Sequence, residues 1–416
     1  MKVLWLSNIQ TSVTNKNVGC SWIGSLESEI SKISDIQLGI SFNSSQPDIS
    51  KFTIGTTTYF PIRIAPAKNK FKQLFDRLTH KIESEDIIQS YLEIIQDFKP
   101  DLIHIFGTEN DYGLIIPKTT IPCIIHLQGN LTVISLKWFT GFSSIEMLKY
   151  SKKSLLLKGL GLFHDYFSIK RAVKRELRIC EVCHYFMGRT DWDRRVSSVL
   201  SPDSKYFHCD EIMRPEFYLN CWQPPALQIN YTIISIIRKH IFKGIETIFE
   251  CKKVLDRNFP DNNIIWKIVG INKDDEISYL VERKYKAKFQ DSDIQLLGPL
   301  NENEIINEIL KANLFVHPSH IENSPNSVCE AMLCGMPVIA TYAGGTPSIL
   351  ADKKEGLLVQ DGDPYALAGA IIELKRDREL ANSLGANARI KSLIRNDPKK
   401  IVNNVMNIYS SVISDK

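Results

Sequence analysis

Short runs of Val, Ile and Leu alternate along this chain with longer segments whose apolar residues return every three or four positions. KVLWLS, DLIHIFG and PCIIHLQG in the first half are nearly continuous apolar runs, as are TIISII, IIWKIVG, IQLLGPL, NLFVHPS and PVIAT in the second. Strands buried on both faces read this way. Stretches between them such as SEDIIQSYLEIIQDF and ENEIINEILKA carry the helical period. A parallel neighbour can be reached only by a crossover, so strand and helix in alternation predict an α/β fold of doubly wound parallel sheets.

The chain has 416 residues, more than one hydrophobic core usually serves, so two domains are expected. The pattern breaks at NCWQPPALQINYT, where a Pro-Pro step precedes a fresh series of strands. The expected division is 1–222, then 223–400, with a terminal helix over 401–416 that crosses back to the first domain.

Apolar residues make up 44% of the chain and charged residues 24%, which excludes disordered and fibrous classes. No window approaches the roughly 18 apolar residues of a spanning helix. Only Val3 to Leu6 precede Ser7 as an apolar run, too few for a signal-peptide core. Nine cysteines at irregular spacing read as reduced thiols. A cytoplasmic protein is therefore expected. Cys180-Glu-Val-Cys183-His184 spells a haem-attachment sequence, but that chemistry belongs to an oxidising compartment, and helix-borne thiols explain it better.

The net charge is +4, yet residues 149–178 hold nine Lys/Arg against Asp165 and Glu176, a local net of +7. Leucines and aromatics are interleaved with those cations. This composition suits a solvated helix face or a peripheral contact with an anionic membrane at its inner face. Nucleic-acid binding would need basic charge spread over a face with stacking aromatics, and is not expected.

The chemistry concentrates in HPSHIENSPNSVCEAMLCGMPVIATYAGG, residues 317–345. Ser324 and Pro325 start a helix and Gly335 with Pro337 ends it, which predicts a helix over 325–334. Its first N–H groups, near Asn326, Ser327 and Val328, open at the outer edge of a parallel sheet, where a phosphate is attracted. Glu322 lies just before that end and Glu330 inside it. Carboxylates beside a phosphate site favour neutral partners, and sugar hydroxyls are the natural ones. Arg238 and Lys243, in TIISIIRKHIFKG, follow the first strand of the second domain and would balance a diphosphate.

Together these segments resemble the retaining GT-B glycosyltransferases of family 4, through the Glu-x7-Glu pattern of Glu322 and Glu330, AMLCGMPVIAT, the Gly344-Gly345 loop, RKHIFKG, LLGPLNENEIINEIL and EGLLVQDGDPYALAGAI. The resemblance implies two Rossmann-like domains with an interdomain cleft. It implies a nucleotide-sugar donor against the second domain, with Glu330 on ribose hydroxyls, Glu322 on hexose hydroxyls, and Arg238 and Lys243 on the diphosphate. Gly298, Pro325, Asn326, Ser327 and Val328 would complete the donor site. In the first half, PCIIHLQGN resembles the family's His-x-x-Gly element, which puts His126 on the acceptor side of the transferred sugar. NVGCSW resembles the glycine-rich turn after the first strand, with Gly19 near the diphosphate and Cys20 where a second glycine is usual. Ser348 stands where many members carry glutamate, and HCDEIMRPEFY replaces the usual Asn-Gly strand end.

The implied reaction moves a hexose from a nucleoside-diphosphate sugar to a glycan or lipid-linked acceptor, with no cofactor. Asp191/Asp193, Asp291/Asp293 and Asp361/Asp363 have the Asp-x-Asp form of metal-dependent transferases, but each has a structural explanation in a cap or turn, and no metal is expected. A nucleotide-sugar epimerase or phosphorylase on the same fold, or a non-catalytic nucleotide-sugar binder, fits the same residues.

Overall fold

The computed structural model describes residues 1–7, 21–44, 46, 49–64, 70–226 and 229–415. The chain divides into two compact units. The first comprises Met1–Ser135, Phe167–Ile212 and Asn396–Lys416, and the second Leu136–Tyr166 and Met213–Arg395. Residues 136–166, which the sequence reading left with the first domain, thus group with the second.

The sheet of the first unit holds β1 (Lys2–Leu6), β2 (Gln37–Ser44), β3 (Phe52–Ile54), β4 (Thr57–Arg63), β5 (Leu102–Phe106), β6 (Cys123–His126), β7 (Tyr185–Gly188) and β8 (Lys205–His208). Their order is β3-β4-β2-β1-β5-β6-β7-β8. All pairs are parallel except β3 with β4, which form an antiparallel pair at the edge. The core packs Leu4, Leu6, Ile103, Ile105 and Ile125 against Tyr91, Ile95 and Phe98 of the helix Glu85–Phe98.

The second unit has β9 (Tyr231–Ile236), β10 (Ile264–Val269), β11 (Ile294–Gly298), β12 (Leu314–His317), β13 (Val338–Thr341) and β14 (Leu357–Val359). They run β11-β10-β9-β12-β13-β14, every pair parallel. This is a doubly wound order whose direction reverses between β9 and β12, where Leu314 lies beside Ile233 and Phe315 beside Ile234. Ligands of such sheets bind beyond the carboxyl ends of the strands at that reversal, because the loops diverge there and leave a crevice. Trp266, Ile268 and Val316 of the sheet, with Ile248 and Phe249 of the helix Ile245–Asn258, are buried in one apolar cluster.

Among the described residues no helix is long and apolar enough to cross a membrane. Cys180 and Cys183 are buried at the end of the helix Leu162–Val182. Burial pushes the Cys183 thiol up to about 12, so it behaves as a structural thiol rather than a ligand.

Candidate functional site

The chain leaving β9 and the chain leaving β12 meet at the reversal. After β9 come Arg238, a tight turn over Ile241–Lys243, and the helix Ile245–Asn258. β12 ends at His317, and the loop 318–325 and the helix Asn326–Cys334 follow. The two loops are tied by His320 N–H donating to the Phe242 carbonyl at 2.8 Å. Gly244, at φ +76°, allows this approach, since a Cβ there would lie 2.1 Å from the Pro318 carbonyl oxygen.

Glu322 sits where these loops converge. Its Oε1 accepts from the Lys243 ammonium and lies 3.0 Å from His317 Nε2. Burial alone would push this carboxyl up, but the Lys243 charge and the His317 contact outweigh it and hold it well below the usual carboxylate range. Its backbone is held as firmly as its side chain. Gly345 N–H donates to the Glu322 carbonyl at 2.9 Å, and Gly344, at φ +53°, passes so close that a Cβ would lie 1.9 Å from that oxygen. The Gly-Gly loop therefore acts here as a backbone support for Glu322.

Glu330, in the second turn of the helix, is buried and gripped by Arg214 through two parallel bonds, Nε to Oε1 and Nη2 to Oε2, each 2.8 Å. Arg214 also lies 3.9 Å from Glu302 and over the Phe217 ring at 4.6 Å. Burial pushes the Glu330 carboxyl up more than the guanidinium pulls it down. Arg214 is the principal group the sequence reading missed. It lies in the segment HCDEIMRPEFY that departs from the family pattern, yet nothing local indicates a partner 116 residues away.

The helix itself begins one residue later than expected. Pro325 is its N-cap, and Gly335, at φ +79°, closes it. The Pro325 carbonyl accepts from Val328 N–H at 2.9 Å and Cys329 N–H at 3.2 Å. Of the three N–H groups expected to be open, Val328's is thus engaged, because a capping carbonyl takes the first helical bonds. Asn326 and Ser327 have no acceptor for theirs among the described residues. Arg238 is exposed and makes no ion pair among the described residues. Gly298 ends β11, and its backbone bonds Gly270 and Ile271.

Behind Glu322, His320 is buried between Glu246, at 2.5 Å, and Asp361, at 3.5 Å. Burial opposes its protonation, but the two carboxylates prevail and raise its pKa. Asp361 also pairs with Lys137 at 3.2 Å, and Asp363 caps the helix Pro364–Arg376. Asp193 closes a capping box with Thr190. The Asp-x-Asp carboxylates at 193, 361 and 363 therefore have protein partners.

His126 ends β6 in the first unit. It is wholly buried, its ring stacked on His104 and Phe106 and set edge-on to Trp22. Neither ring nitrogen has a hydrogen-bond partner among the described residues. Burial, then the charges nearby, hold the imidazole neutral. Glu109, just past β5 in the same unit, was not singled out from the sequence. Its carboxylate lies against Gly107 and Gly129, and burial pushes it up to about 7. An acid with a raised pKa holds its proton longer folded than unfolded, so stability falls as pH rises from about 4.3 toward 7. Glu109→Gln should therefore unfold at a higher temperature than wild type at pH 8, with the difference fading near pH 4.5. Equal melting temperatures at both pH values would refute this. Gly19 lies outside the described residues.

Two doubly wound sheets, the second reversing between β9 and β12, are the architecture of the GT-B fold, and the chain has that fold. Sucrose-phosphate synthase of Thermosynechococcus elongatus superposes over 100% of both chains with a TM-score of 0.72 at 16% identity. HepE of Anabaena, solved with UDP and glucose, superposes over 99% of this chain and 100% of its own with a TM-score of 0.64 at 16% identity. Residues 227–391, all within the second unit, match the family model of glycosyl transferases group 1. An uncharacterized glycosyltransferase of Methanocaldococcus jannaschii is 32% identical over 147 residues, 35% of this chain and 39% of the relative. The match thus spans well under half of that relative's length.

Proposed function

We propose that the protein is a retaining glycosyltransferase that moves a hexose from a nucleoside-diphosphate sugar to a hydroxyl of a glycan or lipid-linked acceptor, in cell-envelope polysaccharide synthesis. The observation that carries this reading is the Lys243–Glu322–His317 cluster facing a helix start with two open N–H groups, those of Asn326 and Ser327. Arg238, Lys243 and that helix end supply positive potential to a diphosphate leaving group, so no metal is needed. An ammonium has three N–H donors, and Lys243 can hold Glu322 and a phosphate oxygen together. Glu322 then accepts from hexose hydroxyls, and Glu330, with one lone pair left on each oxygen, from ribose hydroxyls. No side chain is assigned as a covalent nucleophile. The acceptor hydroxyl attacks the anomeric carbon on the face the diphosphate leaves, its proton passes to a phosphate oxygen, and stabilisation of the departing charge is the largest contribution.

HepE was solved with UDP and glucose, which makes UDP the first nucleotide to try. The test is a thermal-shift screen with UDP, GDP and ADP in the presence of EDTA. A nucleotide at about 100 times its Kd should add about 2.7 kcal/mol, a rise of several degrees, and Glu330→Ala should abolish it. A shift that needs a divalent cation would overturn the metal-free reading. No shift with any nucleotide would favour a binder of another kind.

The peripheral membrane contact belongs to the same proposal, with the basic segment 149–178 as its charge. Leu162 of that segment is buried, and Tyr150 and Phe163 pack on the core of the second unit. Leu157, Phe167 and Leu177 of the segment stay exposed, and of its nine cations only Arg175 is buried.

A further inference from the structure

The helix Lys70–Leu78 reads KFKQLFDRL. Phe71, Leu74, Phe75 and Leu78 fall at i, i+3, i+4 and i+7, a single stripe along one side. On most surface helices that stripe meets the core. Here it faces outward: Phe71 is 83% exposed, Phe75 65%, Leu78 48% and Leu74 38%. The partly covered side chains on the same helix are Gln73 and Asp76, both polar. Burial of apolar side chains is favourable in proportion to the area removed from water, so this stripe is a driving force for docking.

The surrounding charge points to the occupant. Lys72, Arg77 and Lys81 stand on or just after the helix against Asp76 alone. At its carboxyl end His80 stacks on Phe167 at 5.3 Å, and its Nδ1 lies 3.5 Å from Ser168 Oγ. This brings the part of the helix Leu162–Val182 that lies in the first unit alongside, with Arg171 and Lys174 exposed and Phe167 partly so. The nearby acid Glu83 is paired with Arg178. A stripe of phenylalanine and leucine rimmed by cations is the chemistry of a helix lying in the headgroup layer of an anionic bilayer.

We propose that the helix Lys70–Leu78 seats Phe71, Leu74, Phe75 and Leu78 at the acyl boundary of an anionic membrane, while Lys72, Arg77, Arg171 and Lys174 meet lipid phosphates. It builds on the peripheral contact proposed above, and it moves the apolar part of that contact away from residues 149–166.

The experiment is co-sedimentation of the full chain with vesicles of phosphatidylcholine containing phosphatidylglycerol, and with phosphatidylcholine alone. Wild type should bind the anionic vesicles and bind the neutral ones much more weakly. Phe71→Ser/Phe75→Ser should lower the binding by about tenfold or more, with its melting temperature and nucleotide response unchanged. Lys353→Glu/Lys354→Glu, exposed in the second unit and outside residues 149–178, should bind as wild type does. Undiminished binding by the phenylalanine variant overturns the proposal, and so does an absence of binding by wild type. A wild type that is dimeric in solution, with a monomeric phenylalanine variant of undiminished vesicle binding, would make the stripe a contact between copies instead. A chain that binds no nucleotide leaves this result standing and removes only the donor assignment.

Discussion

Lys243→Ala is expected to lower turnover by about 10²–10³, the usual effect of removing one preorganised group that stabilises developing charge. The difficulty is that Lys243 also neutralises Glu322, and both side chains are largely buried. Breaking a buried pair by deleting one partner costs about 3–5 kcal/mol, so lost activity could merely report a loosened fold. Lys243→Met/Glu322→Gln separates the two effects, because it removes both charges and leaves no orphan. The double variant should fold nearly as stably as wild type and still turn over at least 10²-fold more slowly by the same argument. Its pH dependence gives a second check. A carboxyl whose folded pKa is depressed contributes stability above its unfolded value, about 4.3, and that contribution is lost as pH falls below it. Wild type should lose this increment in acid, and the double variant should lack it. Near-normal turnover by either variant would remove Lys243 from the chemistry.

The parts of this architecture that the sequence discloses are those where local chemistry and global fold agree. Strands β12 and β13 are buried at every residue and β9 and β10 at half or more of theirs, and Ile- and Val-rich runs suit that place. Gly335 and Thr190 announce a helix end and a helix start by chemistry confined to a few residues. Strands β2, β3 and β4 were not read, because QLGISFNS carries polar residues and β3 with β4 forms a short hairpin at the sheet edge. Edge strands need not be apolar, so periodicity is weak there. Helix Asn326–Cys334 was legible, and its cap moved by only one residue. What no pattern supplied was pairing over distance: Arg214 with Glu330, His317 with Glu322 through a turn, and His320 with Glu246. Each depends on which strand ends the reversal of the sheet brings together. The outward stripe of Lys70–Leu78 was equally hidden, since a helical period says that a side is apolar without saying which way it faces.

Arg214→Ala is the sharper test of the donor site, because it changes the state of Glu330 without touching it. In wild type the guanidinium holds the carboxylate by two bonds of 2.8 Å and opposes the burial that would protonate it. Remove it and the carboxyl becomes a buried acid with no cation beside it, so its proton affinity rises further. A protonated carboxyl accepts weakly from two ribose hydroxyls, and nucleotide affinity should fall by about tenfold or more at neutral pH, since hydrogen bonds to charged groups contribute about 1.5–3 kcal/mol. Raising the pH should recover part of the loss, which a merely loosened helix would not do. Stability should fall by about 3–5 kcal/mol as well, the cost of orphaning a buried charge. Glu330→Gln is the contrasting variant: it leaves Arg214 with Glu302 at 3.9 Å as a remaining partner, so its stability loss should be smaller and its nucleotide binding weak at every pH. Isothermal titration of the same nucleotide at two pH values would decide the matter. If Arg214→Ala binds nucleotide as tightly as wild type, or more tightly, then Arg214 competes with ribose for Glu330 instead of preparing it, and donor binding must begin by breaking the ion pair.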